Sequence, residues 1–284
     1  IANCSSNGSI TPNSGGIVGS SACTGSASML IQGCSSSGSI TTSAGGIVGA
    51  SCASTSGDML SIEKCWSSGA IDNNSGGITG ALCGSGNSSG GGRVECTNCY
   101  STGTINNSSG GILGSQNGYY NASAQVINSY SQGTIGNQCG GIVGTNTGVE
   151  RSNVTVRNCY SSGAIDPNGG GIFGTGNSFL NTGVLFCYVS GTMTSQDGGI
   201  WAGVFFTGSS SYVEGRNANA GWKDVNASRT LREAPTAVGS IYNTTWCQPN
   251  GLNTPYVLSN MGYTPYVQAL SNVASSSVIA GQSS

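Results

Sequence analysis

A tandem repeat constrains the fold of this chain more than any other feature. Two short elements recur in a fixed order: Cys-(aromatic or Ser)-Ser-x-Gly-x-Ile, and then Gly-Gly-Ile-x-Gly. The second element begins at Gly15, Gly45, Gly76, Gly110, Gly140, Gly170 and Gly198, so successive starts are 30, 31, 34, 30, 30 and 28 residues apart. In all seven copies the second element starts five residues after the Ile or Met that ends the first element. The length therefore varies only after the second element, as in stacked repeats that carry insertions on one edge.

Each repeat holds three short apolar segments, which predict three short strands per coil. One internal row of the stack would hold Ile10, Ile40, Ile71, Ile105, Ile135, Ile165 and Met193. A second row would hold Ile17, Ile47, Ile78, Ile112, Ile142, Ile172 and Ile200. β-Branched side chains suit such half-buried stacked strands, and we expect the paired glycines to form tight corners with positive φ. The sequence predicts an all-β fold: a β-solenoid (β-helix) of seven coils of about thirty residues, over residues 1–203.

Residues 204–284 depart from the period. They contain Trp222, Trp246 and four of the six prolines, and we expect them to form an irregular C-terminal cap and tail, because a solenoid must cover its last open edge. A seven-bladed propeller is the alternative fold. It is disfavoured because a blade needs four strands and usually about forty residues.

The repeat resembles the GLUG-type repeat, in which a Gly-Gly-(Leu/Ile)-Val-Gly element follows an Asn-Cys-Tyr-Ser-x-Gly-like strand. The segment Asn158–Gly163, followed by Gly170–Gly174, carries the resemblance most clearly. The resemblance extends from residue 1 to about residue 203 and implies a β-solenoid in a surface protein or adhesin. It brings no catalytic residues with it.

Charge and acid placement argue against several functions. The formal net charge is −2 with only eight Lys and Arg, which disfavours nucleic-acid binding, and no apolar run reaches the ~18 residues needed to span a bilayer. Asp72 and Asp166 are the only acids that share a repeat position. Three coils at ~4.8 Å each would hold them roughly 14 Å apart, beyond the ~5–9.5 Å of glycosidase pairs. We therefore expect no enzyme activity and no cofactor.

The chain has twelve cysteines and no histidine. The Cys-x-x-Cys at Cys96 and Cys99 has no second pair at zinc-ligand spacing, so we expect no metal site. Repeats one to three carry a second cysteine after the glycine element, and repeat four lacks cysteine at both places. This joint presence and loss predicts disulfides within repeats: Cys23–Cys34, Cys52–Cys65, and Cys83 with Cys96 or Cys99. Pairing between stacked coils, such as Cys159–Cys187, is the alternative. Disulfides indicate an oxidising compartment.

Many Asn-x-Ser/Thr sequons accompany the low charge, and glycans would give such a surface solubility. The candidate N-glycosylation sites are Asn73, Asn106, Asn107, Asn121, Asn153, Asn226 and Asn243. Cysteines and sequons together predict a secreted protein or one on an extracellular surface, of a cell or a virion.

The second position of the first element is aromatic in five consecutive repeats, at Trp66, Tyr100, Tyr130, Tyr160 and Tyr188. Period-two alternation predicts that these side chains point outward. They would form either a platform for a glycan or receptor or a column that is stacked on itself or covered, and we favour the second.

The function that we expect is a structural one, as a subunit of a fibre, filament or surface layer. The repeat begins within three residues of Ile1, so an uncovered first coil predicts head-to-tail association into a homo-oligomer or filament. The alternative is an adhesin that binds a glycan or receptor through an exposed aromatic ladder.

Overall fold

The computed structural model describes residues 1–177, 182–185 and 187–189, and the strand residues 212–213, 246–247 and 257–258. Within these residues the secondary structure consists of short strands and turns, without helices. The strands pair in parallel from one repeat to the next, so the chain folds as a β-solenoid.

The longest strands form a six-stranded parallel sheet along one side of the solenoid. In spatial order they are β2 (Ser28–Gln32), β4 (Met59–Glu63), β8 (Arg93–Thr97), β10 (Ser123–Ile127), β12 (Asn153–Arg157) and β14 (Thr182–Leu185). Their inward residues alternate with outward ones. In β8, for example, Val94 and Cys96 are buried, whereas Arg93 is exposed and forms a 2.9 Å ion pair with Glu95 on the outer face.

The first sequence element forms an eight-stranded parallel sheet of two-residue strands. They are β1 (Ser5–Ser6), β3 (Ser35–Ser36), β5 (Trp66–Ser67), β9 (Tyr100–Ser101), β11 (Tyr130–Ser131), β13 (Tyr160–Ser161), β15 (Tyr188–Val189) and β16 (Tyr212–Val213). Two antiparallel pairs complete the described strands: β6 (Gly86–Asn87) with β7 (Gly90–Gly91), and β17 (Trp246–Cys247) with β18 (Val257–Leu258).

The predicted isoleucine rows are confirmed in the described residues. Parallel bridges join Ile10 to Ile40 and continue in register to Ile165, which takes five turns of the solenoid. In the second row, the N–H of Ile17 donates to the carbonyl of Ile47 at 3.1 Å, and the same bond repeats up to Ile172. Almost all of these side chains are fully buried, and burial of each stabilises the fold by roughly 1.5–3 kcal/mol. Met193 and Ile200, in the seventh predicted coil, lie outside the described residues.

Three corners in each turn have residues in the left-handed region. One corner is the residue directly before the Cys of the first sequence element. Another lies two residues before the glycine pair, and the last lies two residues after the end of the Gly-Gly-Ile-x-Gly element. In the turn that contains Ile71, these residues are Lys64, Asn74 and Leu82, with φ of 53°, 65° and 61°. Asparagine recurs at the first two corners and occupies the third in one turn, at Asn146, consistent with its tolerance of this conformation.

The expectation that the paired glycines have positive φ was wrong. No glycine of the pairs from Gly15 to Gly141 is in the left-handed region. They are required because neighbouring turns leave no room for a side chain. A Cβ on Gly77 would lie 2.7 Å from the Cβ of Ser101, and one on Gly76 would run into backbone of the following turn.

Parallel pairing continues beyond residue 203. Strand β16 pairs with β15, so that Tyr212 lies beside Tyr188 and Val213 beside Val189. The expected cap over residues 204–284 otherwise lies outside the described residues, apart from the pair of β17 and β18.

Candidate functional site: the aromatic column

The five aromatic positions form one column because the short strands pair in register. Trp66 pairs with Tyr100, Tyr100 with Tyr130, and Tyr130 with Tyr160. Strand β15 continues the register from Tyr160 to Tyr188. The sequence thus identified the members of the column, and the parallel pairing aligns them along the solenoid.

The rings stack on one another. The centroids of Trp66 and Tyr100 are 5.8 Å apart with their planes 2° from parallel, and those of Tyr100 and Tyr130 are 4.9 Å apart at 6°. Parallel pairs at such separations contribute about 0.5–1.5 kcal/mol each beyond the area that they bury. The column therefore stabilises the stack of turns.

Most of the column is buried, so it forms the covered column of the two alternatives and not the exposed platform. Tyr100 is 2% exposed, Tyr130 1% and Tyr160 7%. Burial, together with the neighbouring Tyr100 and Tyr160, raises the pKa of Tyr130, and its hydroxyl has no hydrogen-bond partner among the described residues. Alternation along a strand gives the direction of a side chain but not what covers it, so the sequence left both alternatives open, and the covered column that we favoured is the one found at Tyr100, Tyr130 and Tyr160.

Trp66, at the end of the column, is half-buried and borders an open groove. In the two preceding turns the column position holds Ser35 and Ser5, which pair in register with Trp66 and with each other. The groove has a volume of about 320 Å³ and is lined by serines, Asn7 and Trp66. It occupies the place where two further rings of the column would lie.

The cysteines of the first element form a hydrogen-bonded row. The N–H of Cys4 donates to the sulfur of Cys34 at 3.4 Å, and the N–H of Cys34 donates to the sulfur of Cys65 at 3.3 Å. In return, each thiol contacts the carbonyl two residues before it, as Cys65 does with Glu63 at 3.3 Å. Ser129 replaces cysteine in this row and makes both bonds, from the N–H of Cys99 and to the carbonyl of Ile127.

The cysteines after the glycine element form a second such row. The thiols of Cys52 and Cys83 donate to the carbonyls of Gly19 and Gly49 in the preceding turn. In later turns Asn117 and Asn177 occupy this position and donate to Gly80 and Gly144. Repeat four thus lacks both cysteines because Ser129 and Asn117 make the equivalent hydrogen bonds.

The predicted disulfides remain a prediction. In the structure the cysteines of the described residues are free thiols, and all but Cys4 are buried. The thiol–thiol contacts run between turns, joining Cys34 to Cys65, Cys52 to Cys83, and Cys159 to Cys187. Cys23 lies one position out of register with Cys52. Its thiol contacts the carbonyls of Ala27 and Met59.

Asp58 is a buried carboxylate that the repeat pattern did not reveal. It accepts hydrogen bonds from the N–H and hydroxyl of Thr55, at 2.8 and 2.6 Å, and from the N–H of Ala27 in the preceding turn at 3.0 Å. Burial acts to raise its pKa, but these hydrogen bonds to the charged form outweigh burial and hold the pKa below its usual value. The only sequence signal is that Thr55 precedes it by three residues, a common local turn spacing. Its role is to fasten one turn to another.

The predicted glycosylation sites fall into two groups. Asn73, Asn107 and Asn153 are exposed, and Asn106 and Asn121 are half-buried. Asn153 is the first residue of β12 and lies on the outer face of the six-stranded sheet. Asn226 and Asn243 lie outside the described residues.

The described part of the chain brings no three potential metal-ligating side chains together. Its described residues also include no helix long and apolar enough to cross a membrane. Comparison with family models, curated proteins and solved structures finds no match for the chain.

Proposed function

We propose that this chain is an extracellular structural protein, a subunit of a fibre, filament or surface layer whose stacked turns supply stiffness. The observation that supports this most is the use of the repeated residues. The isoleucines pack in rows, the paired glycines permit close approach, and the cysteine positions hydrogen-bond to neighbouring turns. A sequence that devotes its recurring positions to contact between turns favours a load-bearing role.

The first turn presents a surface that a further turn would fit. In the second turn the N–H groups of Thr41, Gly45 and Gly49 donate to carbonyls of the first turn. The equivalent groups of the first turn, on Thr11, Gly15 and Gly19, face away from the second turn. We propose that a second copy supplies their acceptors, which joins subunits head to tail into a filament.

The extracellular setting is supported by composition and by the exposed sequons. Only 6% of residues are charged, and glycans on Asn73, Asn107 and Asn153 would be accommodated at the surface. The mass of protein purified from its native source, before and after glycosidase treatment, tests this part of the proposal, and an unchanged mass would refute it. Electron microscopy at high protein concentration tests the filament.

A further inference from the structure

The groove beside Trp66 has the features of a small binding site, and nothing in the structural role accounts for them. From Trp66 onward the column position holds an aromatic ring in each turn, but Ser5 and Ser35 leave the two preceding places open. One face of the Trp66 ring stacks on Tyr100. The volume of about 320 Å³ lies at the lower end of the roughly 300–1,000 Å³ of ligand pockets.

The lining of the groove is neutral and rich in hydroxyl groups. Apart from Trp66 it consists of serines and Asn7, without a charged side chain. The hydroxyls of Ser5, Ser35 and Ser37 and the amide of Asn7 make no hydrogen bond to the described residues. These groups are therefore available to a ligand as donors and acceptors.

We propose that this groove binds a neutral saccharide, with one sugar ring stacked on Trp66 in the place that the next aromatic ring of the column would take. The apolar C–H face of a pyranose suits the face of an indole ring, and its hydroxyls match the serines and Asn7 on the walls. An aromatic side chain would also stack there, but it would remove the serine hydroxyls from water without giving them partners. The absence of charge in the lining disfavours acidic sugars.

The test is binding of the full chain to an array of neutral hexose and N-acetylhexosamine oligosaccharides, followed by calorimetric titration of the sugars that bind. Protein made in a bacterial cytoplasm keeps Asn7, which lies in an Asn-Gly-Ser sequon, free of a glycan. Ser35→Tyr fills the groove with a ring of the protein itself, as Tyr100 does in its own turn. Trp66→Ser removes the stacking face, and Trp66→Tyr keeps it.

We expect Ser35→Tyr and Trp66→Ser to weaken saccharide binding by about tenfold or more, which corresponds to the loss of about 1.4 kcal/mol. Trp66→Tyr should stay within a few-fold of the original protein, as should Tyr120→Ala, which removes an exposed aromatic side chain elsewhere. Ser35→Tyr should still fold and melt cooperatively, because stacking of its ring on Trp66 offsets the burial of the serine hydroxyls around it. Loss of binding in that variant is thus separated from loss of fold.

Three results would overturn the proposal. The first is that no neutral sugar binds at concentrations up to about 10 mM. This concentration is well above a Kd of 1 mM, which corresponds to a binding free energy of only about 4 kcal/mol. The second is that Ser35→Tyr binds as well as the original protein. The third is that an aromatic peptide, but no sugar, competes for the Trp66 groove. None of these results bears on filament assembly, which the structural proposal predicts independently.

Discussion

The backbone N–H of Cys99 donates a 3.1 Å hydrogen bond to the hydroxyl of Ser129, one turn further along the solenoid. Elsewhere in this row the acceptor is a cysteine sulfur, as where the N–H of Cys34 donates to Cys65. Serine and cysteine therefore perform the same task, which is to satisfy a buried N–H at a corner. The abundance of cysteine in this chain has a structural explanation that does not require disulfides.

Replacing Cys65 should show how much the hydrogen bonds of this row of cysteines contribute to the stability of the fold. Cys65→Ser keeps an acceptor for the N–H of Cys34, so we expect the melting temperature under reducing conditions to change little. Cys65→Val keeps the approximate size but leaves that N–H unsatisfied, at a cost of about 1–3 kcal/mol. Thermal unfolding followed by circular dichroism distinguishes the two variants. Equal stability of both would show that the hydrogen bond contributes nothing.

Gly69 and Gly8 occupy the same repeat position, so they provide a matched pair of sites that tests how closely neighbouring turns are stacked. A Cβ on Gly69 would meet the carbonyl of Gly38 and come within 3.1 Å of the N of Ser39, whereas a Cβ on Gly8 would meet nothing within 4 Å. We expect Gly69→Ala to destabilise the protein by several kcal/mol or prevent folding, because the obstacle is backbone. Gly8→Ala should be neutral or slightly stabilising, by up to about 1 kcal/mol. Comparable melting temperatures for the two variants would contradict the stacked arrangement.

Thiol alkylation should discriminate sharply between cysteines in the native protein. Burial raises the pKa of Cys65 to about 12 and that of Cys139 to about 11, and the thiolate is the reactive form. At pH 8 we expect iodoacetamide to modify Cys4, which is exposed, long before Cys65 or Cys139. Peptide mapping without reduction reads out the modified positions. The same map tests for disulfides, and a bond from Cys52 to Cys65 would support the within-repeat scheme over the contact of Cys52 with Cys83.

Asp58 should make the stability of the solenoid decrease at acid pH. Its pKa in the folded protein is lowered, so the stability that it contributes is present above the unfolded-state pKa of about 3.9 and is lost as the pH falls through the folded value. Asp58→Asn should lower the melting temperature at pH 7 and reduce its further fall towards pH 3. Asp166→Asn, at an exposed site, is the control. If the melting temperature of Asp58→Asn depends on pH as that of the original protein does, this carboxylate does not hold the two turns together.

The sequence revealed the fold through its period, because isoleucines such as Ile40 and Ile47 recur where in-register stacking must place them. The expectation that the glycine pairs are needed for positive φ was wrong. A glycine that is needed for positive φ and one that is needed for close approach look alike in a sequence, and only the neighbouring turn shows that Gly77 faces Ser101. The burial of Tyr130 and the groove beside Trp66 depend on contacts between turns and on what lies over them, which the repeat pattern does not encode.

The measurement that tests the structural proposal most directly is electron microscopy of the 284-residue protein beside its Gly8→Ala variant, at increasing concentration. We predict filaments for the original protein, because the first turn presents backbone groups that a second copy can pair with. Gly8→Ala should remain folded but form few or no filaments, since a docked turn would meet its Cβ as the preceding turn would meet a Cβ on Gly69. Isolated particles of the original protein at every concentration would contradict the account, and so would filaments of undiminished length from Gly8→Ala.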